Sequence, residues 1–254
     1  MNNKVDVGIY DTDKIALNYL NNYNEYFQPL LDKDVRLLEL GIFRGGSMLL
    51  WRDYFKKGTI VGLDFEPCPI EDPTGRILTY QGSQADTALL DRIARETAPD
   101  GFDVIIDDCS HIGEFTRISF WHLFDHYLKP GGIYSIDDWG TGYWGDFPDG
   151  RRYVPPKWPS NSYQGIARLI ALIEKVTKRK MHPRWMSRLY KLSYYKQRFP
   201  SHDYGMVGFI KQLVDEAAMA DITYPERGIK PHRSSKFQKM QISLGQVIIV
   251  KSHE

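Results

Sequence analysis

The sequence predicts an α/β protein built on a doubly wound, mostly parallel sheet with helices on both faces. Three observations carry this. Short apolar runs of strand length alternate with helical stretches of roughly 10–15 residues, the signature of successive β-α units. Two of those runs, FDVIIDDCSHIGEF (102–115) and GGIYSIDDWG (131–140), end abruptly in paired aspartates. A strand buried on both faces ends this way where its C-terminal edge meets solvent. The first run, VRLLELG, is followed by a glycine turn that opens a helix. Together these describe a Rossmann-like sheet whose ligands collect outside the carboxyl ends of the strands.

The elements follow in order. Thr12 or Asp13 caps an N-terminal helix over 12–30, with Ile15, Tyr19, Tyr23, Tyr26 or Phe27, and Leu30 at helical spacing. Strands are predicted at 35–41, 59–65, 77–83, 102–108 and 132–138, with helices over 48–55, 87–98 and 114–128 between them. Gly58 closes the first of these helices, and Pro130 with Gly131 the last. From Trp139 to Tyr163 four glycines and four prolines forbid a regular element, while seven aromatic residues argue for an ordered lid. A helix over 165–176 and a basic tract complete a lid or cap inserted at about 139–200. A helix over 204–220 and a hairpin over 237–252 return the chain to the sheet, so residues 1–254 read as a single domain.

At 254 residues the chain can bury a full core. Lys and Arg number 33 against 32 Asp and Glu, a net charge of +1, so no global field favours nucleic acid or membrane. Two cysteines, Cys68 and Cys109, form no disulfide framework and no CxxC pair, which suits a reducing cytoplasm. The N-terminus lacks a signal-peptide pattern, and no apolar run reaches the length of a membrane span.

In LELGIFRGGS, Phe43 stands where a dinucleotide fingerprint places its second glycine. Pyrophosphate needs close backbone approach there, whereas a nucleoside with an amino-acid tail needs only a tight turn and donors for a carboxylate. Gly41, Gly45 and Gly46 permit the turn, and Ser47 opens the helix. Asp64 ends the next strand, where an acid can take the ribose hydroxyls.

The runs YDTDK, RLLELGIFRGGSMLLWRDYF, VGLDFEP, YQGSQAD, DDCSH and IDDW resemble the class I S-adenosylmethionine-dependent methyltransferases. Within them the likeness is to metal-dependent sugar O-methyltransferases of the mycinamicin 2''-O-methyltransferase type, and more distantly to catechol O-methyltransferase. The resemblance spans about Tyr10 to Asp138. It implies S-adenosylmethionine and Mg²⁺ as cofactors, with Glu39, Gly41 and Ser47 at the methionine end, Asp64 at the ribose, and Gly82, Ser83 and Gln84 around the adenine. It also selects Asp108, Asp137 and Asp138 as metal ligands. Two departures stand out: Cys109 replaces the usual glycine after the second aspartate, and Asp137–Asp138 replaces a Glu-Asp pair.

Two carboxylates about 4 Å apart repel by on the order of 4 kcal/mol at an effective dielectric near 20, so several together call for a cation. Carboxylates on rigid strand ends suit Mg²⁺ rather than zinc. The competing reading pairs these acids with Arg117, Arg151 or Arg152, or uses them as helix caps; Asp107 is the one expected to be structural. His111, three residues past Asp108, is placed to accept the proton of an attacking hydroxyl, with Asp137 and Asp107 as alternatives. Cys109 has no catalytic constellation around it and reads as buried filler. Trp139, Tyr143 and Trp144 either stack on an acceptor or form the lid's own small core.

The basic tract 175–198 carries nine basic residues and no acidic one, interleaved with aromatics. It reads either as a solvated helical face or as a contact for an anionic glycan, nucleic acid or membrane surface. The expected function is methylation of a sugar hydroxyl on a glycosylated natural product or glycan. The alternatives are a catechol-like phenol O-methyltransferase and a noncatalytic nucleic-acid-binding module. The expected partner is a small-molecule or glycan acceptor, with no nucleic acid and no transmembrane segment, and with room for peripheral membrane contact or a homo-oligomer.

Overall fold

The computed structural model describes residues 10–153, 162–178, 180, 182, 184, 202–227 and 233–253. Five parallel strands, β1 (Arg36–Leu40), β2 (Thr59–Asp64), β3 (Ile77–Gln81), β4 (Phe102–Asp107) and β5 (Leu128–Asp137), are joined by a C-terminal hairpin, β6 (Phe237–Ile242) and β7 (Gln246–Lys251). They form one sheet in the order β3-β2-β1-β4-β5-β7-β6. β7 runs antiparallel to both β5 and β6. The order reverses between β1 and β4, which opens a crevice at their C-terminal ends.

Strand alternation assigns each side chain to a face. Leu37, Val104, Ile106, Ile133 and Ile248 pack with α2 (Tyr19–Phe27) and α3 (Gly46–Tyr54). Leu38, Leu40, Ile105, Tyr134, Ile136 and Val247 pack on the other face with α4 (Thr87–Thr97), α5 (Gly113–His126) and α7 (Gly205–Ala217). Both faces are therefore dry, as the apolar strand sequences require.

The expected helix over 12–30 is broken. α1 (Asp13–Ala16) is capped by the Thr12 hydroxyl, which accepts from the Lys14 amide, and Asn18 adopts a left-handed φ of 62° before α2 begins. Asparagine tolerates that conformation better than most residues. A 3₁₀ turn over Gln28–Leu30, containing Pro29, ends the segment. In α2, Tyr19, Tyr23 and Phe27 repeat at i, i+4 and i+8 and are all buried. The Phe27 and Trp51 rings meet edge to face at 5.7 Å, locking α2 onto α3. The break matters because it turns Lys14 of α1 toward the sheet edge while α2 lies along its face.

The chain forms two compact units: residues up to Arg151 together with Asp203 onward, and Arg152–His202. The second contains α6 (Ser162–Thr177), and most of the basic tract lies outside the described residues. A short helix α8 (Met219–Ile222) follows α7 in the first unit. The stretch after β5 belongs to the first unit and makes two short 3₁₀ turns, beginning at Trp139 and Gly150. Asp149 anchors it by accepting from the amides of Gly113 (2.7 Å) and Met206 (2.8 Å), at the starts of α5 and α7. Those helices begin in close approach: a Cβ on Gly113 would fall 2.1 Å from the Gly205 carbonyl carbon. Among the described residues no helix is long and apolar enough to cross a membrane.

Candidate active site

A cavity of about 820 Å³ opens at the C-terminal ends of β1, β2 and β4. Its lining includes Gly41, Ser47, Asp64, Gly82, Ser83 and Gln84, six of the seven residues expected around a nucleoside. Asp108, His111 and Asp138 line it as well, together with Asp11, Thr12 and Asp13 from the start of α1. The volume falls in the range of ordinary small-molecule sites.

The loop after β1 has unusual backbone geometry. Gly41 has φ +82°, and a Cβ there would fall 2.2 Å from the carbonyl oxygen of Asp108. This is the point where β1 and β4 diverge, and only glycine fits. Phe43 adopts φ 47°, a left-handed conformation that is uncommon for a bulky side chain. Its ring is 75% exposed, with the Arg44 guanidinium 5.0 Å from its centroid. Asp64 braces the loop: Oδ2 accepts from the amides of Ile42 (2.8 Å) and Phe43 (2.9 Å), and Oδ1 from that of Glu66 (3.0 Å). His111 (φ 54°) and Asp138 (φ 55°) are also left-handed. Backbone held in such sparsely populated conformations concentrates at functional sites.

The aspartate pairs separate by strand alternation. Asp107 pairs in register with Ile136, so Asp137 faces the opposite side of the sheet from Asp107. Asp107 turns toward α4 and α5, where it accepts from Gln84 Nε2 (3.1 Å) and Ser119 Oγ (3.0 Å). Asp137 turns toward α2 and is fully buried. Its carboxylate accepts from Tyr23 Oη (2.7 Å), Ser135 Oγ (2.8 Å) and Gln246 Nε2 (3.1 Å). Asp137, expected as a metal ligand, therefore does not face the cavity. Asp108 and Asp138, one residue beyond their strands, do. Side-chain donor atoms of Asp108, His111 and Asp138 lie within 4.8 Å of one another, a set able to hold a cation. Asp138 also accepts a hydrogen bond from Tyr19 Oη.

Glu39 departs from expectation too. It shares the α2 face with Ile106, its register partner, and is fully buried. It does not line the cavity itself; the cavity-lining Ser47 hydroxyl donates to Glu39 Oε2 at 2.7 Å.

What sequence reasoning missed is Lys14. Only 1% exposed, its Nζ lies 2.7 Å from Asp108 Oδ2, 2.9 Å from Asp137 Oδ2 and 3.2 Å from Glu39 Oε1. Burial alone would push this ammonium's pKa down, but Asp108, Asp137 and Glu39 outweigh it and hold the pKa well above the ordinary lysine value. Burial pushes the carboxyls of Asp108 and Glu39 up despite Lys14. The cation demanded by crowded carboxylates is thus partly internal. Arg117, considered as a partner for these acids, pairs with Glu114. The YDTDK run carries the available signal, since Lys14 closes it and it belongs to the resemblance.

Burial, the largest influence, lowers the His111 pKa, which keeps its ring neutral, and the ring meets Phe147 edge to face at 5.8 Å. Burial pushes the Cys109 thiol up to about 12, which leaves it protonated and unsuited to nucleophilic attack. Trp139 donates to the Ser243 carbonyl at 3.1 Å, tying the post-β5 stretch to the hairpin; Trp139, Tyr143 and Trp144 are absent from the cavity lining.

Burial also pushes Asp107 up to about 6. Because its folded-state pKa exceeds the unfolded value of about 3.9, the native state binds the extra proton between those values, and stability falls as pH rises through that window. Asp107→Asn is expected to remove about 2–3 kcal/mol of this pH dependence. Urea denaturation of both proteins at pH 4 and pH 7 would check it, and curves of equal pH dependence would refute it.

No protein-family model matches the chain. It is 42% identical over 133 residues to the mycinamicin VI 2''-O-methyltransferase of Micromonospora griseorubida, covering 50% of this chain and 32% of that protein. It is 40% identical over 133 residues to the demethylmacrocin O-methyltransferase of Streptomyces fradiae, covering 50% and 33%. Both relatives are O-methyltransferases. The MycE methyltransferase of the mycinamycin biosynthetic pathway, solved in complex with Mg and SAH, superposes with a TM-score of 0.62 at 27% identity, covering 91% of this chain and 49% of that one. The fold is therefore shared. The matches span about a third of the curated relatives and about half of the solved chain.

Proposed function

We propose that the protein is an S-adenosylmethionine- and Mg²⁺-dependent O-methyltransferase that methylates a sugar hydroxyl of a small glycosylated natural product. The observation that carries this reading is one cavity in which the glycine loop and Asp64 meet the open donor set of Asp108, His111 and Asp138. The 42% identity to a sugar O-methyltransferase supports the reaction class.

The residues fit both cofactors. Ser47 and the loop after Gly41 would hold the methionine end, with Glu39 acting through the Ser47 hydroxyl. Asp64 has about four acceptor positions; the loop takes two and the Glu66 amide a third, which leaves one for a ribose hydroxyl. Gly82, Ser83 and Gln84 would flank the base. Asp108 and Asp138 offer the hard oxygen donors Mg²⁺ prefers, which leaves the His111 nitrogen for proton transfer. Bound there, Mg²⁺ supplies a Lewis acid that makes an acceptor hydroxyl more acidic. His111, neutral through burial, takes the hydroxyl proton as the acceptor oxygen bonds to the methyl carbon and the carbon–sulfur bond breaks, releasing S-adenosylhomocysteine. Both cysteines are free thiols, consistent with a cytoplasmic enzyme.

Calorimetry with S-adenosylmethionine, and transfer of labelled methyl to glycosylated acceptors and to catechols, test the proposal. Cofactor binding should survive EDTA, because the hydrogen bonds of Ser47 and Asp64 run to Glu39, Ile42, Phe43 and Glu66 and not to the acid pair, whereas turnover on sugar acceptors should vanish. Full activity in excess EDTA would remove the metal from the reading. Preference for catechols would replace the acceptor class.

A further inference from the structure

We propose that Lys14 is the resident counter-ion of the acid cluster, a positioning residue that keeps Glu39 and Asp137 turned inward so that only Asp108 and Asp138 present carboxylates to a divalent cation. This rests on the reading of Asp108 and Asp138 as cation ligands. β1, β4 and β5 are adjacent in the sheet, and each brings one carboxylate to Nζ: Glu39 at 3.2 Å, Asp108 at 2.7 Å and Asp137 at 2.9 Å. An ammonium has three protons and no acceptor, so it can serve three carboxylates converging from different directions, which a planar guanidinium cannot. The other groups on these acids, Tyr23, Ser135, Gln246 and Ser47, are neutral and cannot balance their charge.

Counted as fully ionised, Glu39, Asp108, Asp137 and Lys14 carry a formal charge of −2, and the same acids without Lys14 a formal −3, against which burial favours proton uptake by Asp108 and Glu39. Asp108 straddles the division, with Oδ2 on Lys14 while its side chain also lines the cavity. Removing the ammonium frees Asp137 and Glu39 and draws a cation deeper, away from the open set with Asp138 and His111. A residue with a merely structural role would weaken cation binding when lost. Lys14 should do the reverse.

The test is Mn²⁺ binding by electron paramagnetic resonance to the full chain, to Lys14→Met and to Lys14→Met/Asp137→Asn, with thermal unfolding in EDTA and in Mn²⁺. Lys14→Met is expected to bind Mn²⁺ roughly tenfold or more tighter, since a positive charge within a few ångströms has been removed. It should also gain more thermal stability from Mn²⁺ than the parent. The double variant restores the cluster charge and should return to within about threefold of the parent. Unchanged or weaker Mn²⁺ binding by folded Lys14→Met would overturn the proposal. If that variant folds only with Mn²⁺, the counter-ion role is upheld; if it folds under neither condition, a double variant outside the threefold range overturns the role, and one within it upholds it. A parent that binds no Mn²⁺ would sink the reading of Asp108 and Asp138 as ligands, yet a site gained by Lys14→Met would still uphold Lys14 as counter-ion. Absence of binding in both would refute both.

Discussion

Asp138→Asn is expected to lower kcat/KM by about 10²–10³-fold, the equivalent of several kcal/mol of lost cation-assisted charge stabilisation. Asp107→Asn should leave it within about tenfold. The contrast is clean because the substitution at 138 is nearly isosteric. Asp138 has a left-handed φ of 55°, and asparagine is among the few residues that accept this conformation, so the backbone is not penalised. The side-chain oxygen that accepts from Tyr19 can also be kept. What is lost is the negative charge facing the cavity. Asp107 is equally close in sequence to the proposed ligands, but it sits on the α4–α5 face with Gln84 and Ser119 and does not line the cavity. Steady-state methyl transfer across an Mg²⁺ titration would separate the two. Equal losses would mean that the cation-facing acids have been misassigned.

The same strand alternation explains what could be read from the sequence and what could not. The sheet was legible because five apolar runs end in glycines or acids, and strand after helix leaves few topologies. The glycine loop was legible because its residues act locally. The division of labour within the aspartate doublets is also a local matter, because neighbouring residues on a strand face opposite ways. Applied to IDDW, that rule turns Asp137 into one face of the sheet and leaves Asp138 at the edge. It was overridden by a resemblance that treated both as ligands. The Lys14 contacts were not legible by any local rule. They span 94 residues to Asp108 and 123 to Asp137, and they depend on Asn18 breaking a helix that spacing alone would continue. Tyr19 and Tyr23 looked like ordinary apolar positions of an amphipathic helix. Their rings are buried as expected, but their hydroxyls reach Asp138 and Asp137.

Asp137→Ala should therefore be a stability mutation before it is an activity mutation. Removing one partner of a buried ion pair costs about 3–5 kcal/mol, because it strands the other charge. Here Lys14 retains Asp108 and Glu39, which moderates the charge term, but Tyr23, Ser135 and Gln246 lose an acceptor in a region closed to water. Each unsatisfied buried group adds about 1–3 kcal/mol, so the total belongs in the upper part of the range. For a chain of this size the melting temperature should fall by roughly 10 °C or more. The decisive measurement is thermal unfolding in EDTA, where no cation can contribute. If Asp137 braces Lys14 and α2, the loss appears in full without metal, and added Mg²⁺ stabilises variant and parent to a similar extent. If Asp137 instead reaches the cation, the metal-free melting temperatures will agree and only the Mg²⁺-dependent increment will disappear. The burial of Asp137 and its contacts with Lys14 and Tyr23 favour the first outcome.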